Sequence, residues 1–155
     1  MQAFLLESPA FVSGAPLPID YTREGANLSP PLRWKNPPAG TTHLALICSD
    51  PDAPGGTWIH WVLYNIPVQW AELPERFPRL RSMSGTNQGV NSYRTLGYDG
   101  PFPPKGQNHR YFFKLYALSR PLKLAAGIPA AQVEQAMQPV LLGNTELIGT
   151  YQRST

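Results

Sequence analysis

Two aspartates, Asp50 and Asp52, flank Pro51 in the stretch SDPDAPGGTWIHW, and His60 follows between Ile59 and Trp61. A second histidine, His109, stands in GPFPPKGQNHRY, with Tyr111 two residues on. Carboxylates and imidazoles gathered at one place serve general acid–base chemistry, metal ligation or the holding of a small charged ligand. Each half has a plainer explanation. DPDAP by itself is equally a rigid turn with solvated carboxylates, because each proline drives its predecessor extended and Asp is a common turn former. Sequence does not decide whether any of these X-Pro bonds is cis. One histidine on an apolar strand is more often a core residue than a ligand, but a second of the same kind shifts that balance. His109 follows a loop whose glycines and prolines fix a shape and leave backbone N–H groups to face a ligand. His43, beside Thr42, has no such context and reads as a surface residue.

The types Asp, Asp, His and His suit a divalent ion, yet there is no HxH or HxxxH pair and both acids lie in one turn. No metal and no cofactor is expected. A serine nucleophile is no better supported: GxSxG does not occur, and Ser49 beside Asp50 is equally a turn residue. A binding protein is therefore the first expectation. An enzyme using the Asp/His pocket for hydrolysis or phosphoryl transfer is the alternative, and an interaction protein with a vestigial pocket is the third.

These residues need elements to hold them. The chain of 155 residues contains 18 prolines, about 12% against a typical value near 5%, together with 13 glycines and 17 aromatics among Phe, Trp and Tyr. Such a composition fits one folded domain, 1–155, with many rigid turns. Short strand-like runs alternate with Pro/Gly/Asn corners, the pattern of a mainly β sandwich: 3–6, 32–34, 43–48, 57–66, 109–118 and 146–151. In TWIHWVLYNI, strict alternation puts Trp58, His60, Val62, Tyr64 and Ile66 on one face and Ile59, Trp61 and Leu63 on the other, so a central strand is expected. In HRYFFKLYAL, His109, Tyr111, Phe113 and Leu115 share a face, opposite Arg110, Phe112, Lys114 and Tyr116. GIPAAQVEQAMQ reads as a short helix with Pro129 in its first turn, Val133, Ala136 and Met137 on one face, and Pro139 ending it. TELIGTY reads as a helix extension or a returning strand.

The single cysteine, Cys48, excludes an intramolecular disulfide and, in LALIC, reads as a small buried hydrophobe. The amino terminus shows no signal-peptide or membrane-span pattern, so a cytoplasmic protein without integral membrane contact is expected. The net charge of +3 comes from scattered basic residues, with a loose group at Arg76, Arg79 and Arg81. This permits anion binding and does not mark a nucleic-acid surface.

SDPDAP at 49–54, WIHW at 58–61 and GPFPPKGQNHRY at 100–111 resemble, in that order, the hallmark segments of the phosphatidylethanolamine-binding protein family, which includes Raf kinase inhibitor protein. The spacing resembles its shorter prokaryotic branch, and NLSPPLRW at 27–34 and ELIGTYQR at 146–153 extend the likeness over nearly the whole chain. The resemblance implies a β-sandwich with a large central sheet, a smaller sheet and a short helix near the carboxyl end. It implies a pocket for phosphate-like anions and phospholipid headgroups, such as phosphate or phosphorylethanolamine. Asp50 and Asp52 would stand at its rim or wall, His60 and His109 in its floor, Tyr111 beside them, and Pro103, Pro104 and Gly106 in the closing loop, with Trp58 also a pocket residue. Phe102 departs from the smaller residue often found there and implies a narrower or more apolar mouth. A protein partner, a kinase or protease, and a homodimer are also implied; properties resting on the long carboxyl-terminal helix of animal members are not.

A pocket for anions should not contain a bare carboxylate, since like charges in a partly desolvated cleft repel. The expected solution is that Asp50 accepts a hydrogen bond from an imidazole and favours the imidazolium, leaving the histidines to meet the phosphate.

Overall fold

The most apolar runs of the sequence form the middle of one large sheet. The structure, a computed structural model, describes residues 2–153. Its strands are β1 (Leu5–Glu7), β2 (Leu32–Lys35), β3 (His43–Asp50), β4 (Trp58–Pro67), β5 (Glu72–Leu73), β6 (Ser82–Met83), β7 (Thr86–Gln88), β8 (Asn108–Leu118) and β9 (Leu141–Gln152), with one α-helix, α1 (Ala130–Met137). The large sheet runs β6-β7-β4-β3-β8-β9 and the small one β1-β2-β5, with every pairing antiparallel.

Burial on both faces explains the continuous hydrophobicity of β3, β4 and β8. Between the sheets, Leu6, Leu32, Trp34 and Leu73 of the small sheet pack against Leu44, Leu46, Cys48, Trp61, Leu63, Phe113 and Leu115 of the large one. On the far face, Ala45, Ile47, Val62 and Tyr64 are covered by Ala130, Val133 and Met137 of α1 and by Leu122 and Val140. The fold is thus a two-sheet sandwich with a helix on its outer side. No helix among the described residues is long and apolar enough to cross a membrane, and no peptide bond among them is cis.

All six expected strands are present, and TELIGTY belongs to β9 as a strand that begins at Leu141. Pro129 occupies the position before the first helical residue, in extended conformation, and α1 stops at Met137 before a 3-10 turn over Gln138–Val140. His43 is half-buried at the far end of β3 and contacts Thr42 Oγ1 at 2.9 Å.

The alternation expected for β4 is wrong, and the error falls at the site. Cys48 pairs with Trp61 and Ser49 with Ile59, so His60 is an extra residue on β4 with no partner on β3. A bulge of this kind turns two successive side chains to the same face. Trp58, His60, Trp61 and Leu63 therefore lie on the inner side of the sandwich, while Ile59, Val62 and Tyr64 lie on the outer side. A second irregularity, between Leu44 and Leu46, coincides with Asn65 at φ 59° and returns Ile66 to the inner core. Unbroken alternation from Trp61 would have aimed His60 at the helix layer.

Candidate functional site

The end of β3, the start of β4 and the start of β8 meet at one end of the large sheet. There a cavity of about 320 Å³ opens, lined by Asp50, Ala53, Pro54, Trp58, His60, Tyr93, Phe102, Pro103, Pro104, His109 and Tyr111. That volume is at the small end for ligand pockets. Seven of the residues expected at the site, Asp50, Trp58, His60, Pro103, Pro104, His109 and Tyr111, line it; Asp52 and Gly106 do not.

Asp50 is the hub of the floor. Its Oδ1 accepts the Asp52 N–H at 2.8 Å, the local turn that DPDAP favours. Its Oδ2 lies 2.7 Å from His109 Nδ1, and both side chains are only 4% exposed. The carboxylate is thus engaged by an imidazole, as the charge argument requires. The other ring nitrogen, Nε2, faces Gln107 Oε1 at 3.0 Å. As oriented, both ring nitrogens face acceptors and are fully satisfied when both carry protons. Rotation of the Gln107 amide by half a turn would serve the neutral ring instead, so the arrangement accommodates His109 in either state.

His60 is built differently. Its Nδ1 donates to the Asp99 carbonyl at 2.6 Å, and the Asp99 N–H donates to the His60 carbonyl at 3.0 Å, so the loop before Gly100 grips this residue at two points. Asp99 is itself fixed. Its buried carboxylate accepts from Asn27 Nδ2 at 2.9 Å and Thr95 Oγ1 at 2.8 Å, with Arg23 at 3.4 Å and Arg79 at 3.6 Å. Burial holds the His60 ring below the ordinary histidine range, outweighing the opposite pull of the Asp99 carbonyl and of the Asp50 and Asp99 carboxylates. His60 is therefore neutral at pH 7, with its proton on Nδ1 and a lone pair on Nε2. The imidazole expected to pair with Asp50 is thus His109, while His60 is held by a backbone carbonyl instead.

Asp52 turns away from the cavity to a bidentate pair with Arg110, at 2.9 Å from Nε and 2.8 Å from Nη2, and also accepts the Arg110 N–H at 2.9 Å. The Arg110 hydrogen bonds hold its carboxyl at about 2, well below the usual carboxylate range. A depressed carboxyl contributes stability above its unfolded pKa of about 3.9 that is lost as pH falls through about 2. An NMR titration of Arg110→Ala is expected to return the Asp52 value toward about 3.9, and an unchanged midpoint would remove Arg110 as the cause.

The remaining walls are apolar. Among Pro101, Phe102, Pro103 and Pro104 only Phe102 has an N–H, so the loop offers rings where the sequence led us to expect a row of donors. Phe102, 45% exposed, stands at the mouth with the Arg153 guanidinium 3.7 Å from its ring centre. Gly106, at φ 79°, shapes the turn that Gln107 N–H to Pro104 O closes. Gly100 anchors the loop: its N–H donates to Asn27 Oδ1 at 2.7 Å, and a Cβ there would meet Tyr21 O at 2.5 Å.

Sequence reasoning missed Tyr93, Asn27, Asp99 and Gln107. Tyr93 packs edge-on against Trp58 and His60 beneath the Arg23 guanidinium, at centroid distances of 5.3, 5.7 and 4.4 Å. Asn27 opens NLSPPLRW, but nothing local ties it to a site about seventy residues away. Among the described residues no group of three or more His, Cys, Asp or Glu side chains is placed to hold a metal ion.

The same arrangement of chain is found in known proteins. The UPF0098 protein of Methanothermobacter thermautotrophicus is 47% identical over 149 residues, spanning 96% of this chain and 98% of that protein. The UPF0098 protein of Aquifex aeolicus is 45% identical over 148 residues, spanning 94% and 86%. Among solved structures, E. coli YbcL, described as a new member of the mammalian PEBP family, matches with a TM-score of 0.90 at 31% identity, over 97% of this chain and 99% of that one. CT736 from Chlamydia trachomatis matches with a TM-score of 0.89 at 36% identity, over 98% and 99%. The model of the family described as phosphatidylethanolamine-binding protein matches residues 7–152. With motifs, two-sheet fold and near full-length likeness in agreement, the chain belongs to the phosphatidylethanolamine-binding protein family.

Proposed function

We propose that the cavity binds a small phosphate-bearing ligand, free phosphate or a phosphorylated headgroup, and that the protein acts by holding it without transforming it. The observation that carries this reading is the buried Asp50–His109 pair at the floor of an open cavity whose other walls are largely aromatic and proline rings. The outward nitrogen of His109 is capped only by Gln107, an exposed side chain that an incoming group displaces easily. An anionic oxygen is a stronger acceptor for a ring N–H than a neutral amide is. The headgroup in the family's name fits the same chemistry.

Catalysis is poorly served by the lining. It contains no serine, threonine, cysteine or lysine. Its two tyrosines, Tyr93 and Tyr111, are held above the ordinary phenol range by burial and so stay neutral. Cys48 is fully buried in the core and its thiol is pushed up by burial. No activated hydroxyl, thiol or amine nucleophile is therefore at hand.

Thermal unfolding with phosphate, phosphorylethanolamine, nucleotides and divalent metals tests the proposal. Phosphate or phosphorylethanolamine at 100-fold its Kd is expected to stabilise by about 2.7 kcal/mol, a rise in Tm of roughly 5–10 °C for a chain of this size. A flat response to both would overturn the reading. Turnover of a generic phosphomonoester that disappears in His60→Ala would replace it with the enzymatic one.

A further inference from the structure

The arginines grouped in the sequence at Arg76, Arg79 and Arg81 take no part in the cavity at the end of the large sheet. Arg76 and Arg79 line a second cavity, of about 340 Å³, whose lining contains no aspartate or glutamate. Arg79 is pinned there: its Nη1 donates to Tyr98 O and its Nη2 lies 3.6 Å from the buried Asp99 carboxylate, while its Nε–H has no acceptor among the described residues. Arg76 pairs with no carboxylate among the described residues, and its neighbour Glu75 accepts from the Tyr21 hydroxyl instead. The Arg76 backbone sits at φ 60°, a left-handed conformation that a residue with a Cβ keeps only where its surroundings impose it. Ser29 imposes it: its carbonyl accepts the Arg76 N–H at 3.0 Å and its Oγ accepts the Phe77 N–H at 2.7 Å. Ser29 lines the cavity at 4% exposure, and its own O–H donates to nothing among the described residues. The other polar side chains of the lining are committed, Asn27 to Asp99 and the Gly100 N–H, and the Tyr98 hydroxyl to Tyr21 O.

We propose that this second cavity binds a carboxylate carried on an apolar body. Its donors, the Arg76 fork, the Arg79 Nε–H and the buried Ser29 O–H, are matched by no carboxylate in the lining, so the occupant brings the acceptors and the negative charge. A planar carboxylate takes two parallel N–H bonds from one guanidinium. The walls decide the rest of the ligand. Leu28, Phe77 and Tyr98 line the cavity, and a hydrocarbon chain or ring beside the carboxylate covers apolar surface that an inorganic oxyanion leaves in water. The volume, at the small end for ligand pockets, suits one ring or a short chain. A free organic acid and the carboxyl-terminal residue of a peptide share this chemistry. The inference does not depend on the phosphate reading of the first cavity.

Nitrogen-15 NMR of the full chain at neutral pH, where carboxylic acids are ionised, tests this with benzoate, its uncharged isostere benzamide, N-acetylphenylalanine and inorganic phosphate. Benzoate or N-acetylphenylalanine is expected to move the amide resonances of Ser29, Arg76 and Phe77. Either acid that does so is expected to bind about 10-fold more tightly than benzamide, and than phosphate at the same resonances. Benzoate alone assigns a free acid, N-acetylphenylalanine alone assigns a peptide carboxyl terminus, and both together assign the shared chemistry; each supports the site. Arg76→Gly removes the guanidinium at a φ that glycine adopts without a Cβ penalty, so the variant is expected to fold as the parent does while affinity for the bound acid falls about 10-fold. Arg76→Gln, which keeps a side chain and loses the charge, is expected to show the same fall. Shifts confined to the neighbourhood of His60 and His109, equal binding of benzamide, or parent affinity in both folded variants would overturn the inference, as would no response to either acid. Phosphate that binds at Ser29, Arg76 and Phe77 as tightly as the acids overturns the carboxylate assignment.

Discussion

Asp50→Ala is expected to lower the free energy of unfolding by about 3–5 kcal/mol, the usual loss when one member of a buried ion pair is removed. His109, 4% exposed on its side chain, would be left facing an apolar void where the carboxylate stood 2.7 Å away. The Asp52 N–H would also lose its acceptor, loosening the turn that leads into β4. Asp50→Asn keeps an oxygen for the Asp52 N–H and another contact to the ring, so a smaller loss of about 1–3 kcal/mol is expected from it. The double variant Asp50→Ala, His109→Phe separates pairing from packing: it should lose less than the sum of its single variants, because no stranded polar ring remains. Urea unfolding measures all three, and phosphate-induced stabilisation should vanish in each variant that lacks Asp50. An Asp50→Ala protein within about 1 kcal/mol of the parent would show that the pair is not what holds this end of the sheet.

Trp61→Ala should cost a similar amount, about 3–5 kcal/mol, for a different reason. Trp61 has no exposed surface and packs edge-on to Tyr98 at 5.5 Å, with Phe77 at 6.2 Å. Its Nε1 donates to Gln88 Oε1 at 2.9 Å, while Gln88 Nε2 donates to Pro78 O at 2.6 Å and Leu80 O at 2.9 Å. Truncation opens a cavity and leaves the Gln88 oxygen unpaired. Trp61→Phe restores most of the area without the hydrogen bond, so it should recover more than half of the loss in the same urea assay. The effect should also reach the site: Tyr98 immediately precedes Asp99, and Asp99 holds the His60 ring. Weakened phosphate binding with a shifted His60 Nδ1 resonance is therefore expected in Trp61→Ala. Parent-like binding with full destabilisation would show that Asp99 is held by Asn27, Thr95 and its arginines without help from the core.

Much of this was legible in the residues. The apolar runs of β3, β4 and β8 announced buried central strands, because two covered faces demand continuous hydrophobicity. The short strands β5, β6 and β7 were not legible, since two or three residues carry no usable period and Gln88 earns its burial through partners supplied by distant segments. The resemblance of three motifs placed Asp50, His60 and His109 at one site, and the charge argument required an imidazole for Asp50. That His109 would be the one, and His60 not, depended on which ring each strand end brought within reach.

The sequence alone determined a mainly β sandwich, its family, and the residue types gathered at the end of its large sheet. Period, turn chemistry and motif order are local properties, and they survive without coordinates. Tertiary structure decided the direction and charge of the site. A one-residue bulge, visible only in the pairing of β4 with β3, turns His60 inward beside Trp61. A backbone carbonyl thirty-nine residues away fixes its proton, and burial keeps it neutral. Arg110 holds Asp52 away from the cavity. Strand register, hydrogen-bond partners and desolvation are relations between distant segments, so they exist only once the chain has folded.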